Sequence, residues 1–385
     1  MGTYLVPCDC GVERDHAMPT IKDVAKLAGV APITVSRVIN DSGYVSDETR
    51  RRVEAAIEEL GYVPNRVARS LRSKQTHTLA LILTDITNPF WTTVARGVED
   101  VASADGFNVI LCNTDESESK ENSYVRVLLQ KQVDGFVLVP ANRTSRSVPL
   151  IRKQRVPLVI LDRTVPAQVD IVRSDSEGGA YMLTLHLLER GHRHIAMLSG
   201  PEEVSTAVDR AAGYRRALTE AGVSVDVRMV RYRAFTQEGG YLMTQEVLAV
   251  KPRPTALFAA NNFIAIGAFR ALREVGLRVP EDVALVAFDD LPPTFTMEPF
   301  LTVAAQRAYE MGRRATQLLL QRLTEETPGP AQEIVLPTDL VVRRSSGGRM
   351  EEWQNGRIQE SKNDGTSDRA ICDSLILPFS DSSDR

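Results

Sequence analysis

Four short stretches hold residues able to recognise a ligand, and each begins where a strand candidate ends. Asn88-Pro-Phe-Trp91 follows the run 79–84 and Asp162-Arg163 follows 158–161. Asn261-Asn262 follows 256–259, and Asp289-Asp290 closes the run 283–288. Aromatic rings offer flat apolar faces to a sugar or base ring, while carboxylates and amides exchange hydrogen bonds with hydroxyls. In open α/β sheets, ligands bind beyond the carboxyl ends of the strands, where these residues fall. A second chemistry sits near the start of the chain. Residues 18–76 carry ten Lys/Arg against seven Asp/Glu, and residues 64–74 carry four against none. Such a patch suits phosphate contact and predicts salt-sensitive binding, although the whole chain has a net charge of −4. Nothing comparable points to catalysis. The chain lacks a Gly-rich phosphate fingerprint and a Gly-x-Ser-x-Gly elbow, and His186 and His192 have no nucleophile signature beside them. Cys8, Cys10 and His16 match no standard zinc spacing, so neither a metal nor a cofactor is expected.

The basic region is organised by helix signals. Thr20-Ile-Lys-Asp23 reads as a capping-box start for a helix over about 21–28, with Ile21, Val24, Ala25 and Ala28 on one face. Gly29 supplies a tight turn, and Pro32 suits the first turn of a second helix reaching about Asn40. Helix, short turn, helix is the layout in which the second helix enters a DNA major groove. A third helix follows, with Ser46 as N-cap, Asp47 and Glu48 in its first turn, and Gly61 past its end. A short segment opened by Pro64 then carries an apolar Val67–Leu71 pair.

From Thr78 to about Arg344, short apolar runs alternate with helical patterns at 89–105, 177–190, 205–221, 237–249, 262–275 and 308–323. That alternation predicts right-handed βαβ units and parallel sheets, and its length favours two lobes with a cleft between them. The expected class is α/β: an all-α headpiece followed by a two-lobed core of parallel sheets flanked by helices. The expected boundaries are 1–17 (an unstructured extension, or sequence upstream of a start at Met18), 18–63 (headpiece), 64–76 (hinge and linker), 77–344 (core) and 345–385 (a polar tail). The tail holds eight acidic and five basic residues, a composition read as disordered. No apolar run approaches the ~18 residues of a membrane span, and four cysteines are too few for a disulfide framework, which favours a reducing cytoplasm.

Thr20-Ile-Lys-Asp-Val-Ala, Thr34-Val-Ser-Arg-Val-Ile-Asn and Pro64-Asn-Arg-Val-Ala-Arg-Ser-Leu, at their mutual spacing, closely resemble the lactose/galactose-repressor (LacI/GalR) family. Leu188-Glu-Arg-Gly-His, Ser199-Gly-Pro, Ala260-Asn-Asn, Gly276-Leu-Arg-Val-Pro-Glu-Asp-Val and Ala287-Phe-Asp-Asp resemble that family's sensor signatures. The resemblance covers residues 18–344 and implies a core folded like a periplasmic sugar-binding protein. It also implies a transcriptional repressor that binds a pseudo-palindromic operator as a homodimer, under the control of a small-molecule effector. On double-stranded DNA it implies Pro32, Ile33 and Arg37 at base edges and Thr34 and Ser36 at phosphates, with Thr20 and Asn40 also on the DNA side. The 64–72 segment resembles a hinge helix, with Asn65 and Ala68 against the minor groove, Arg66 and Arg69 near phosphates, and Leu71 wedged into a base step. Around the effector the resemblance places Phe90, Trp91, Asp162, Arg163, Thr206, Arg210, Phe235, Asn261 and Asp289, with Asp175 a further candidate.

The chain departs from the family pattern at several of these points. Ala31 stands where Ser is usual and removes an N-cap hydroxyl, while Pro32 and Ile33 are apolar where relatives often form hydrogen bonds. Asn262 replaces a frequent Asp. Val204 stands where purine-responsive relatives carry a basic residue, so a sugar or sugar phosphate is expected instead. The region 345–385 shows no leucine-heptad pattern, which favours a dimer over a tetramer. The alternative reading, a solute-binding protein with the same core and no DNA function, requires a secretion signal and no headpiece.

Overall fold

The computed structural model describes residues 19–63, 75–291, 299–325 and 329–347. Two compact units meet between Thr76 and His77. The expected hinge residues Asn65, Arg66, Ala68, Arg69 and Leu71 lie outside the described residues, as do 1–17 and 348–385.

In the first unit, α1 (Ile21–Ala28), α2 (Pro32–Ile39) and α3 (Asp47–Leu60) enclose a small core of Val24, Ala25, Ala28, Val35, Val38, Val53 and Ala56. Gly29 and Gly61 end α1 and α3 at φ +64° and +58°, left-handed values that glycine adopts without strain. The capping box at Thr20 forms as expected, and the Asp23 carboxylate accepts hydrogen bonds from the Thr20 N–H at 2.8 Å and from the Thr20 hydroxyl at 2.6 Å. Ala31 gives α2 no side-chain cap, but Pro32 at its first position removes one N–H that would otherwise need a partner.

The second unit contains two six-stranded sheets. The first holds β1 (Thr78–Leu83), β2 (Asn108–Asn113), β3 (Gly135–Leu138), β4 (Leu158–Leu161), β5 (Asp170–Ser174) and β11 (Glu333–Leu336), in the order β11-β5-β4-β3-β1-β2. The second holds β6 (Ile195–Ser199), β7 (Val230–Tyr232), β8 (Ala256–Ala259), β9 (Ala284–Phe288), β10 (Thr302–Gln306) and β12 (Thr338–Val341), in the order β12-β10-β9-β8-β6-β7. All pairings are parallel except β10 with β12. The strand order is the same in both lobes, and in each it reverses beside the first strand, the switch point at which open α/β sheets bind ligands. The central strands β3, β4, β6, β8 and β9 are buried along their whole length, which is why they read as unbroken apolar runs.

Helices α4 (Pro89–Ala104), α5 (Glu118–Gln130), α6 (Ser147–Lys153) and α11 (Ala308–Thr324) cover the first sheet. Helices α7 (Ser176–Glu189), α8 (Ser205–Glu220), α9 (Gln237–Leu248) and α10 (Asn262–Glu274) cover the second. The chain therefore crosses between lobes three times: after β5, after β10, and at Pro337, which alone separates β11 from β12. Three short connections form a hinge and leave each lobe with its own core. Helix pairs lie backbone to backbone: a Cβ on Gly267 would stand 1.9 Å from the Gln237 carbonyl oxygen, and one on Gly97 would stand 2.2 Å from that of Tyr309.

The polar tail begins later than expected. Arg344–Ser346 form a 3-10 turn in which Ser345 and Ser346 are buried. The Ser345 hydroxyl donates to the Leu285 carbonyl at 2.6 Å and accepts the Thr302 N–H at 2.8 Å. Ser346 meets His186 Nε2 at 2.8 Å. These serines resemble tail composition in sequence, yet the Ser345 hydroxyl pairs with backbone groups of the second sheet and that of Ser346 with the His186 and Thr302 side chains.

Candidate functional site

A cavity of about 360 Å³ opens between the carboxyl ends of the two sheets. The first lobe contributes Thr84, Asp85, Thr87 and Asn88 after β1, with Phe90 and Trp91 on the first turn of α4. Asp115 and Glu116 follow β2, and Asp162 and Arg163 follow β4. The second lobe contributes Thr206 and Arg210 from α8, Phe235 after β7, Asn261 after β8, Asp289 after β9 and Gln306 from β10. All nine effector residues expected from sequence thus line one cavity. Asp175 does not: its carboxylate caps α7 by accepting the Gly178 N–H at 2.8 Å.

Two aspartates face the cavity from matching positions, because β4 and β9 hold the same place in their sheets. Asp162 and Asp289 both take left-handed backbone, at φ +65° and +66°, a conformation that costs a non-glycine residue ~1–2 kcal/mol. The residue after each is engaged in a bidentate ion pair. Arg163 meets Glu116 at 2.6 and 2.7 Å, and Asp290 meets Arg343 at 2.6 and 2.7 Å. Arg163 also donates to the Pro140 and Ala141 carbonyls, so its terminal nitrogens are already engaged. Burial works against its charge, and Glu116 more than offsets this, holding it above the ordinary arginine range.

Arg210 exerts its charge on both aspartates. It donates to the Ala260 carbonyl at 2.6 Å and stacks its guanidinium 3.9 Å from the centre of the Phe288 ring. Burial pushes Asp289 up to about 6 against the opposing pull of Arg210 and of the Gln306 amide, which donates to its Oδ1. Burial raises Asp162 as well, with Arg210 and Arg163 pulling it back. Among the described residues, Asp162 Oδ1, Arg210 Nε and Gln306 Oε1 are buried polar atoms without a protein hydrogen-bond partner. An unmet buried polar group costs ~1–3 kcal/mol, so a ligand bearing hydroxyls finds unmet donors and acceptors here.

Apolar faces complete the cavity. Phe90 and Trp91 pack edge to face with centroids 4.7 Å apart, and both also belong to the first lobe's core. Phe235 lies flat on Gly200, where any Cβ would come within 2.0 Å of the ring, which explains the glycine of Ser199-Gly-Pro. Asn261 caps α10 by accepting the Ile264 N–H at 2.8 Å. Asn88 caps α4 in the same way through Phe90, at 3.0 Å.

On the helical unit, Pro32, Ile33 and Arg37 are exposed together on α2, with Ile33 55% accessible. Thr34 and Ser36 are half-buried. Asn40 is exposed, but its amide turns back to the Ser36 carbonyl at 2.7 Å. Tyr44 had no motif to mark it, and it is 91% accessible in the loop after α2.

The family model described as periplasmic binding proteins and sugar binding domain of the LacI family matches residues 76–341, and that of bacterial regulatory proteins, lacI family, matches 20–65. The chain is 39% identical over 333 residues to a ribose operon repressor of Halalkalibacterium halodurans, covering 86% of this chain and 98% of that one. It is 37% identical over 311 residues to the HTH-type transcriptional repressor PurR of Vibrio atlanticus, covering 80% and 93%. Among solved structures it is similar to the lac repressor dimer bound to operator and the anti-inducer ONPF, with a TM-score of 0.75, 29% identity, and coverage of 86% and 99%. Helical unit, twin parallel lobes and matches along both units agree, and the chain belongs to the LacI family of bacterial regulatory proteins.

Proposed function

We propose that the cleft takes a neutral sugar whose binding sets the affinity of the helical unit for operator DNA. Membership of the family makes the chain a DNA-binding transcriptional regulator controlled by a small-molecule effector. One observation carries the choice of ligand class. The cavity wall holds five carboxylates (Asp85, Asp115, Glu116, Asp162, Asp289) against two guanidinium groups. Arg163 is occupied by Glu116, so a phosphate would meet only Arg210, flanked by two aspartates. Like charge opposes a sugar phosphate, whereas hydroxyls suit these acceptors. The ribose operon repressor among the relatives supports the same class.

Binding without turnover fits relatives that are repressors. We read the chain as a cytoplasmic homodimer on a pseudo-palindromic site. Leu111 on the edge strand β2 is 43% accessible, a surface suited to a second copy, and the lac repressor structure is a dimer on operator. No helix among the described residues is long and apolar enough to cross a membrane. Pro32, Ile33 and Arg37 read bases in this proposal, and Tyr44 joins Thr34 and Ser36 at the phosphates. Thr20, whose hydroxyl is spent on Asp23, and Asn40, turned back on Ser36, approach DNA through what remains of their polar groups. Asn65, Arg66, Ala68, Arg69 and Leu71 keep the minor-groove roles that the resemblance implies.

Fluorescence anisotropy on labelled DNA from upstream of the coding sequence tests the reading, with a panel of neutral pentoses, hexoses and their phosphates. One neutral sugar is expected to change operator affinity at least about tenfold, within the usual range of allosteric coupling. A response confined to phosphates overturns the neutral-sugar assignment. In the same assay Arg37→Ala should cost about 1–3 kcal/mol and stop discriminating at one base pair, which a set of single-base operator variants will reveal.

A further inference from the structure

Two buried asparagines join the lobes beside the cleft. Asn88 Nδ2 donates to Asn262 Oδ1 at 2.9 Å, and Asn262 Nδ2 donates back to Asn88 Oδ1 at 3.1 Å. Asn88 starts α4 in the first lobe and Asn262 starts α10 in the second, and both side chains are buried. Their orientations are fixed from outside the pair. Asn88 Oδ1 also accepts the Phe90 N–H, so the oxygen must face Asn262 Nδ2 and the amide cannot turn over without losing the helix cap. Asn262 Nδ2 also reaches the Asp290 carbonyl at 3.5 Å. The two reciprocal bonds cross between the lobes and form only while the lobes are closed, whereas the α4 cap and the Asp290 contact each lie within one lobe. Opening leaves Asn88 Nδ2 and Asn262 Oδ1 without these partners unless water replaces them.

We propose that Asn88 and Asn262 act as the clasp that positions the lobes in the closed state, setting how far the empty protein is already closed for its ligand. This rests on the cleft being the effector site, but not on the ligand being a sugar. The residue type at 262 is decisive. An aspartate there could accept from Asn88 Nδ2, but its second oxygen would face Asn88 Oδ1 with no proton between them. The frequent family aspartate at this position thus cannot make the reciprocal pair found here.

Trp91 lines the cleft at 7% accessibility and reports opening directly. Acrylamide quenching is measured on the full chain with no ligand present, in a Trp353→Phe background that leaves Trp91 as the single tryptophan. Asn262→Asp should raise the quenching constant of Trp91 at least about twofold. Asn88→Asp keeps the oxygen that caps α4 but loses the donor to Asn262, and should raise it in the same direction with the unfolding midpoint nearly unchanged. Unchanged quenching in either variant while it retains wild-type circular dichroism overturns the clasp. Because the readout uses no ligand, a negative sugar panel does not affect it, and a positive panel cannot rescue it.

Discussion

Arg210→Met will weaken the effector at least about a hundredfold, measured by isothermal titration with the sugar that the panel identifies, and will leave effector-free operator binding within about threefold of wild type. The reason is the pair of carboxylates that this guanidinium serves. Asp162 and Asp289 are both nearly inaccessible, and Arg210 is the cation that lowers both. Removing one partner from a buried ionic arrangement costs ~3–5 kcal/mol, because the remaining charge is neither hydrated nor paired. Without this cation, burial acts on both carboxyls with less opposition, which favours their protonated forms and weakens their capacity to accept ligand hydroxyls. Methionine keeps apolar volume over Phe288, so the loss reads on charge rather than on a hole in the core. Arg210→Lys should fall between the two, since a point charge cannot reproduce a fork that donates to Ala260 while facing the aspartates. A parallel loss of operator binding by Arg210→Met, or an undiminished response to sugar, would refute the assigned role.

The fold was legible where one physical signal was strong. Continuous apolar runs gave the buried strands β1, β4, β8 and β9 to within about a residue, and glycine and serine marked the ends of α3. Elements lacking that signal escaped. Strand β7 has three residues, β11 is an edge strand beside Pro337, and β12 pairs antiparallel against an otherwise parallel sheet. Helices α5 and α6 carry too many polar residues for their buried stripes to stand out. The lobe crossings at β11 and β12 are set by tertiary packing and leave no local mark.

The cleft divides in the same way. Residues at strand ends within recognisable motifs, such as Asp289 or Asn261, were legible with the help of family resemblance. Gln306 was not, because it lies at the end of β10, a strand with no sequence signature. Glu116 was missed because its partner Arg163 is 47 positions away. Asn262 was visible as a departure from pattern, but its meaning required the position of Asn88, 174 residues earlier.

The affinity for sugar should also fall about tenfold between pH 7 and pH 5, and Asp289→Asn should flatten the profile. In the empty protein burial holds Asp289 at about 6, with Asp162 and Asp290 adding to the rise and Arg210 and Gln306 opposing it. A ligand hydroxyl that donates to this carboxylate favours its charged form, so binding must expel a proton whenever one is present. Affinity is therefore full above the raised value and declines as pH falls through it, by about tenfold per unit well below it for one coupled proton. The empty fold responds in the opposite sense. An acid raised from 3.8 to about 6 on folding binds its proton more tightly in the native state, so its contribution to stability diminishes as pH rises between those values. The full loss is about 3 kcal/mol at ~1.4 kcal/mol per unit. Sugar and protons thus compete for the same two oxygens, and the sugar's gain in affinity with pH offsets the strain that ionisation places on the empty cleft. Titration calorimetry at pH 6 in two buffers of different ionisation enthalpy should show net proton release on binding. Proton uptake, or a flat affinity profile in the wild-type protein, would place the ligand's contacts away from Asp289.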